Sequence, residues 1–207
     1  MESLAQSPTD PAFVQDPYPF YDRARAGGAL FHWQDYNLTC ATSAAAVGAI
    51  LRDRRFGREV PAELAPVIPP HLAPFYAVEA HSMLELEPPR HTRLRNRVLR
   101  APTPRRIAAL APQIEAQSHE LIDAVPGGDF DLIPAFAAKL PVIIIARLLG
   151  VPEDRAPDLL AWSNAMVGMY QARRTRETED RAAAAAGAFA AFLRGYVEER
   201  RAKPADD

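Results

Sequence analysis

Apolar residues recur at helical spacing along most of this chain, and the runs break at proline and glycine. Pro17 to Gly28 predicts a short helix closed by two glycines. Leu30 to Trp33 and Tyr36 to Ala41 predict two short strands around a turn at Gln34-Asp35, and Ser43 to Asp53 a helix with Ser43 as its N-cap. Residues 58–82 carry Pro61, Pro66, Pro69, Pro70 and Pro74, which break any long element into loop. Pro104 to Val125 predicts a long amphipathic helix, with Ile107, Leu110, Ala111, Ile114, Leu121, Ile122 and Val125 on one side. Phe130 to Leu132 admits a short strand. Pro134 to Leu149 is apolar nearly all round, with only Lys139 and Arg147 charged, and so predicts a buried helix. Glu153 to Tyr170 and Glu179 to Arg201 predict two more helices. Leu159, Leu160, Trp162, Met166 and Met169 stripe the first, and Phe189, Phe192, Leu193, Tyr196 and Val197 the second. Ala182 to Ala186 favour helix and close packing. The fold class is therefore mainly α with a small β component.

One stretch stands apart. After Pro88-Pro89, residues 90–100 predict a helix, because proline suits a first turn whose N–H groups lack partners anyway. Glu85 and Glu87 lie just ahead of it, where the helix dipole favours negative charge. At about 100° per residue, Leu94, Val98 and Leu99 share one side with His91 and Arg95. Arg90, Arg93, Arg97, Arg100 and Asn96 take the other. An apolar face with two cationic donors requires an anion, since a guanidinium buried without a partner is costly. A protein carboxylate and a ligand carboxylate both satisfy that requirement.

Composition narrows the classes. The 207 residues are 48% hydrophobic and 24% charged, which is globular rather than disordered, and carry net charge −2. The whole chain thus has no basic signature for nucleic acid. Arginine is concentrated locally: residues 90–106 hold seven and no acid. One cysteine excludes an internal disulfide and suits a reducing cytosol. Residues 1–16 are polar, with no apolar leader, and the longest apolar run, Leu140 to Ala146, is too short to span a membrane. A cytoplasmic protein is expected, with no membrane and no nucleic-acid partner.

The phrase Pro88-Pro89-Arg90-His91-Thr92-Arg93-Leu94-Arg95, followed by Thr103-Pro104-Arg105-Arg106, resembles the C-helix region of soluble bacterial cytochromes P-450, the haem-thiolate monooxygenases. Pro17-Tyr18-Pro19-Phe20-Tyr21, Arg54-Arg55-Phe56 and Arg147-Leu148-Leu149-Gly150-Val151-Pro152 resemble further parts of that family. Arg90 stands where the family usually has an acid, and Pro102 where it has an aromatic.

The resemblance implies the N-terminal half of the cytochrome P-450 fold, helices A to G, ending before the I helix. It implies a flexible tail over residues 1–16 and a partial domain over 17–207, with 57–87 as the B–C loop. It gives His91 and Arg95 the role of binding a haem propionate, the cofactor being haem b. It makes His71, Phe75, Tyr76 and His81 substrate-contact candidates by position, against the competing reading of locally packed loop residues. It places Arg93, Arg97 and Arg100 in a patch for a ferredoxin or flavin-type electron donor, against an ordinary solvated face. The reaction implied is insertion of one atom of O2 into a small organic substrate.

On the same resemblance, the I-helix acid and threonine, the Glu-x-x-Arg pair and the axial cysteine loop lie outside these residues. No catalytic residue and no metal ligand is therefore assigned, and this chain alone is expected to lack turnover and to bind haem weakly if at all. Cys40, in the alternating Leu38-Thr39-Cys40-Ala41, reads as a small buried hydrophobe rather than an iron ligand. The rival reading is a non-catalytic helical module whose arginine-rich helix meets an anionic partner.

Overall fold

Two clusters of buried side chains organise the chain, and each belongs to its own compact unit, residues 1–57 and 58–207. The structure is a computed structural model and describes residues 1–99 and 107–204.

In the first unit, strand β1 (Glu2–Leu4) pairs parallel with β2 (Leu30–Trp33), which pairs antiparallel with β3 (Leu38–Ala41). Asn37 supplies the positive φ of 51° that turns the β2–β3 connection back. Helices α1 (Pro11–Gln15) and α2 (Tyr18–Ala26) precede β2. Leu4, Phe20, Ala24 and Phe31 form the core, edged by Phe13, Trp33 and Cys40. Phe20 meets the rings of Phe13 and Phe31 edge-on at 5.6 and 5.7 Å, the geometry the ring quadrupole favours. Helix α3 (Ala44–Arg52) starts at Ser43, whose hydroxyl accepts from the Ala46 N–H at 3.2 Å.

The expected tail over 1–16 is corrected here. Its residues hold β1 and α1, because Leu4 has a buried seat and Asp10 caps α1 through the Ala12 and Phe13 N–H groups.

In the second unit, the proline-rich stretch is less open than its prolines suggest. A 3-10 turn (Pro70–Leu72) leads into α4 (Ala73–Glu79), with Pro74 in the first turn where its missing N–H does no harm. Helices α5 (Arg90–Val98) and α6 (Ala111–Asp123) follow. The expected long helix from Pro104 is shorter within the described residues: α6 begins at Ala111 with Pro112 in its first turn, and 104–106 lie outside them. The strand admitted at Phe130 to Leu132 is absent; Leu132 instead opens a π-helical turn (Ile133–Ala137) that runs into α7 (Lys139–Leu148). Gly150, at φ 67°, closes α7, a left-handed position that a side chain would strain.

Helix α8 (Ala156–Val167) and the 27-residue α9 (Arg176–Ala202, capped by Thr175) pack together and carry α4 on the same assembly. Ala182 and Ala186 are fully buried and let α9 lie close to Leu72, Phe75 and Met169. Trp162 meets Phe189 and Phe192 across the α8–α9 seam, and the Arg155 guanidinium lies 5.0 Å from the Phe192 ring centroid.

Helix α7 departs from expectation. Only Ala146 is buried, while Ile145 is 51% and Leu149 62% exposed. Its side chains are apolar nearly all round, but the described residues leave the strip around Ile145 uncovered.

Candidate functional site

The start of α5 is held by charges that reach it from residues 58 and 59. The Arg58 guanidinium pairs with Glu85 at 2.6 Å, and its backbone N–H donates to the Glu87 carboxylate at 2.6 Å. The Glu85 hydrogen bond leads the effects that hold Arg58 above its usual range. Glu59 accepts from the Glu87 N–H at 3.2 Å and from Arg90 at 3.2 Å, while Arg90 also donates to the Ala80 carbonyl at 2.8 Å. Glu85 and Glu87 thus serve residue 58 rather than the helix dipole alone. Arg90, the basic residue at the family's acidic position, has an acid supplied from Glu59.

On α5 itself, His91 is half-buried and Arg95 is exposed. Among the described residues neither side chain has a hydrogen-bond or ion-pair partner. Leu94 beside them is half-buried, and Val98 and Leu99 are 50% and 59% exposed. The wheel placed this face against a core. In the structure the described residues leave most of it uncovered, Arg95 included, so the cost expected of a buried guanidinium does not arise here. The helix brings His91 and Arg95 onto one face, four residues apart, but that face is largely open rather than turned inward as expected. Such a face can receive a flat apolar ligand with carboxylates at its edge. Arg93 and Arg97 are exposed on the opposite side, and Arg100 lies outside the described residues.

The four loop candidates separate. His71 Nε2 sits 2.8 Å from Glu179 Oε2, Phe75 is buried in the α4–α9 core, and Tyr76 packs beside it. His81 is exposed. Sequence reasoning missed Glu179 as the partner of His71, because no local pattern links residues 108 positions apart.

Cys40 sits half-buried on β3, and burial pushes its thiol up, the opposite of what a metal-bound thiolate needs. No group of three or more His, Cys, Asp or Glu side chains forms a metal cluster among the described residues. The letters Glu-x-x-Arg do occur, at Glu87…Arg90 and Glu198…Arg201. Arg90 is held by Glu59, and Glu198–Arg201 is an exposed pair on one helix turn, so neither makes a buried structural pair.

The fold is chiefly helical with a small three-stranded sheet, and comparison with known proteins names the family. Cytochrome P450 monooxygenase PikC of Streptomyces venezuelae is 35% identical over 161 residues, covering 75% of this chain and 38% of that protein. A putative cytochrome P450 140 of Mycobacterium tuberculosis is 30% identical over 209 residues, covering 96% of this chain and 47% of that protein. Among solved structures, P450BioI in complex with an acyl carrier protein superposes with a TM-score of 0.84 at 28% identity, over 95% of this chain and 51% of that one. No family model matches the chain. In sequence and fold the chain belongs to the bacterial cytochromes P-450, and it spans about half or less of the length of these relatives. No helix among the described residues is long and apolar enough to cross a membrane.

Proposed function

We propose that this chain provides the propionate-binding helix of a haem-dependent monooxygenase, with His91 and Arg95 as the two donors. The observation that carries the reading is their arrangement on α5: four residues apart, on one apolar face, with no carboxylate of the described chain engaged to either. Their chemistry fits the group. A guanidinium and an imidazole donate charge-assisted hydrogen bonds to carboxylates, and Leu94, Val98 and Leu99 offer apolar contact beside them. Haem, when bound, supplies the oxygen chemistry that such an enzyme applies to an organic substrate. The chain's own part is to hold and orient it: Arg95 with a permanent charge, His91 with a ring N–H.

Electron supply by a ferredoxin or flavin-type partner is part of the same reading. Arg93 and Arg97 are exposed, have no acid partner among the described residues, and suit electrostatic steering of an acidic protein. The small-molecule substrate has no residue assigned to it, since His71 and Phe75 are engaged in internal contacts.

The test is a haem titration, followed by Soret absorbance, on a polypeptide of full family length that carries these residues. Arg95→Ala and His91→Ala should each weaken haem binding about tenfold, the worth of one charge-assisted hydrogen bond. Unchanged affinity in both variants removes the proposal. For the 207-residue chain alone, the expected reduced carbon monoxide spectrum lacks the thiolate-type band, because Cys40 is no ligand.

A further inference from the structure

Helix α4 is fastened at both ends to the corner where α8 gives way to α9. At its start, His71 Nε2 meets Glu179 Oε2 at 2.8 Å, with the side chains only 22% and 20% exposed. At its end, the Glu79 carboxylate accepts from the Tyr170 hydroxyl at 2.8 Å. Between the two lie Leu72 and Phe75, packed on Met169, Ala182 and Ala186.

Glu179 is shared. Its second oxygen accepts from Arg174 Nε at 3.0 Å, and Arg174 reaches on to the Met169 carbonyl at 3.5 Å. The hydrogen bond from His71, then that from Arg174, holds the Glu179 carboxyl below its usual range. Among the neighbouring charges on α9, Arg176 pairs with Asp180 at 2.8 Å, while Glu177 and Arg181 are exposed. From α4 the nearest acid, Glu79, is engaged by Tyr170. The lowered Glu179 carboxyl stays charged through the neutral range, where histidine is the side-chain type that ordinarily changes charge.

We propose that His71 and Glu179 form a charge-dependent clasp, which fastens the segment 70–79 onto the first turns of α9 and grips harder when the imidazole is protonated. Neutral His71 gives Glu179 a hydrogen bond; cationic His71 gives it a hydrogen bond and an ion pair in a largely shielded setting. The clasp closes a span of 108 residues, so loosening it weakens one of the fastenings of α4 to α9 without unwinding either helix. It stands on this geometry alone and does not depend on haem.

The experiment is amide hydrogen exchange of the purified chain, corrected for intrinsic rates, at about pH 5.5 and about pH 8, either side of the ordinary histidine transition. Residues 72–80 should be about fivefold better protected at the lower pH, while the centre of α9 should not change selectively. His71→Gln keeps a donor but cannot titrate, and Glu179→Gln keeps the shape but not the charge. Both should abolish the pH dependence. If His71→Gln fails to fold, by far-ultraviolet circular dichroism, Glu179→Gln decides alone. Equal protection at both pH values in the wild type overturns the clasp, as does the same pH dependence in the variants.

Discussion

The Tyr170 hydroxyl donates to Glu79 at 2.8 Å across 91 residues of sequence, and joins the end of α4 to the turn after α8. Burial of the hydroxyl end, followed by this hydrogen bond to a carboxylate, pushes the phenol up to about 12. An unfolded tyrosine ionises near about 10. The native state therefore holds the phenol proton more tightly than the unfolded chain. The stability that follows is complete below about pH 10 and is lost as pH rises towards about 12. Urea unfolding across that window should show the wild type losing stability relative to Tyr170→Phe. Parallel curves would count against the contact.

Close approach of α9 to α4 depends on alanine. Ala186 is fully buried against the Leu72, Phe75 and Met169 cluster, with no space for a larger side chain. Ala186→Leu should cost about 1–3 kcal/mol by overpacking, read as a lower urea midpoint. Ala184→Leu, on the exposed side of the same turn, should cost less than about 0.5 kcal/mol and serves as the control.

The first turn of α9 depends on Thr175, whose hydroxyl accepts from the Thr178 N–H at 3.2 Å. Thr175→Ala should remove about 1 kcal/mol, seen as lower thermal stability and faster exchange at 176–179. Thr175→Ser should keep most of it, because the acceptor oxygen stays.

Exposed apolar residues on α7 and at its C-terminal cap predict behaviour in solution. Ile145 and Leu149 are 51% and 62% exposed, and neither belongs to a buried cluster. Ile145→Glu with Leu149→Gln should change unfolding free energy by less than about 0.5 kcal/mol while reducing self-association in sedimentation. A large loss of stability would mean that this face is covered after all.

Most elements were legible because their signals are local. Ser43 caps α3 through a residue three positions away, and the helical spacing of α8 and α9 shows in their apolar stripes. The α5 face was legible too, since a wheel needs only neighbours in sequence. The errors at residues 1–16, α7 and α5 share one cause. Residues 1–16 read as a tail because nothing near Leu4 reveals the seat that Phe20, Ala24 and Phe31 make for it. α7 and the α5 face read as buried because hydrophobicity reports a preference for cover, not whether the described chain supplies it.

By itself the sequence determined the helical class, the caps, and the placing of His91 and Arg95 on one face, since each depends on a few adjacent residues. Tertiary structure alone decided that Glu179 answers His71, that Glu59 answers Arg90, and that the described residues leave most of the α5 face uncovered. Those outcomes depend on which distant surfaces meet, and no local periodicity records that.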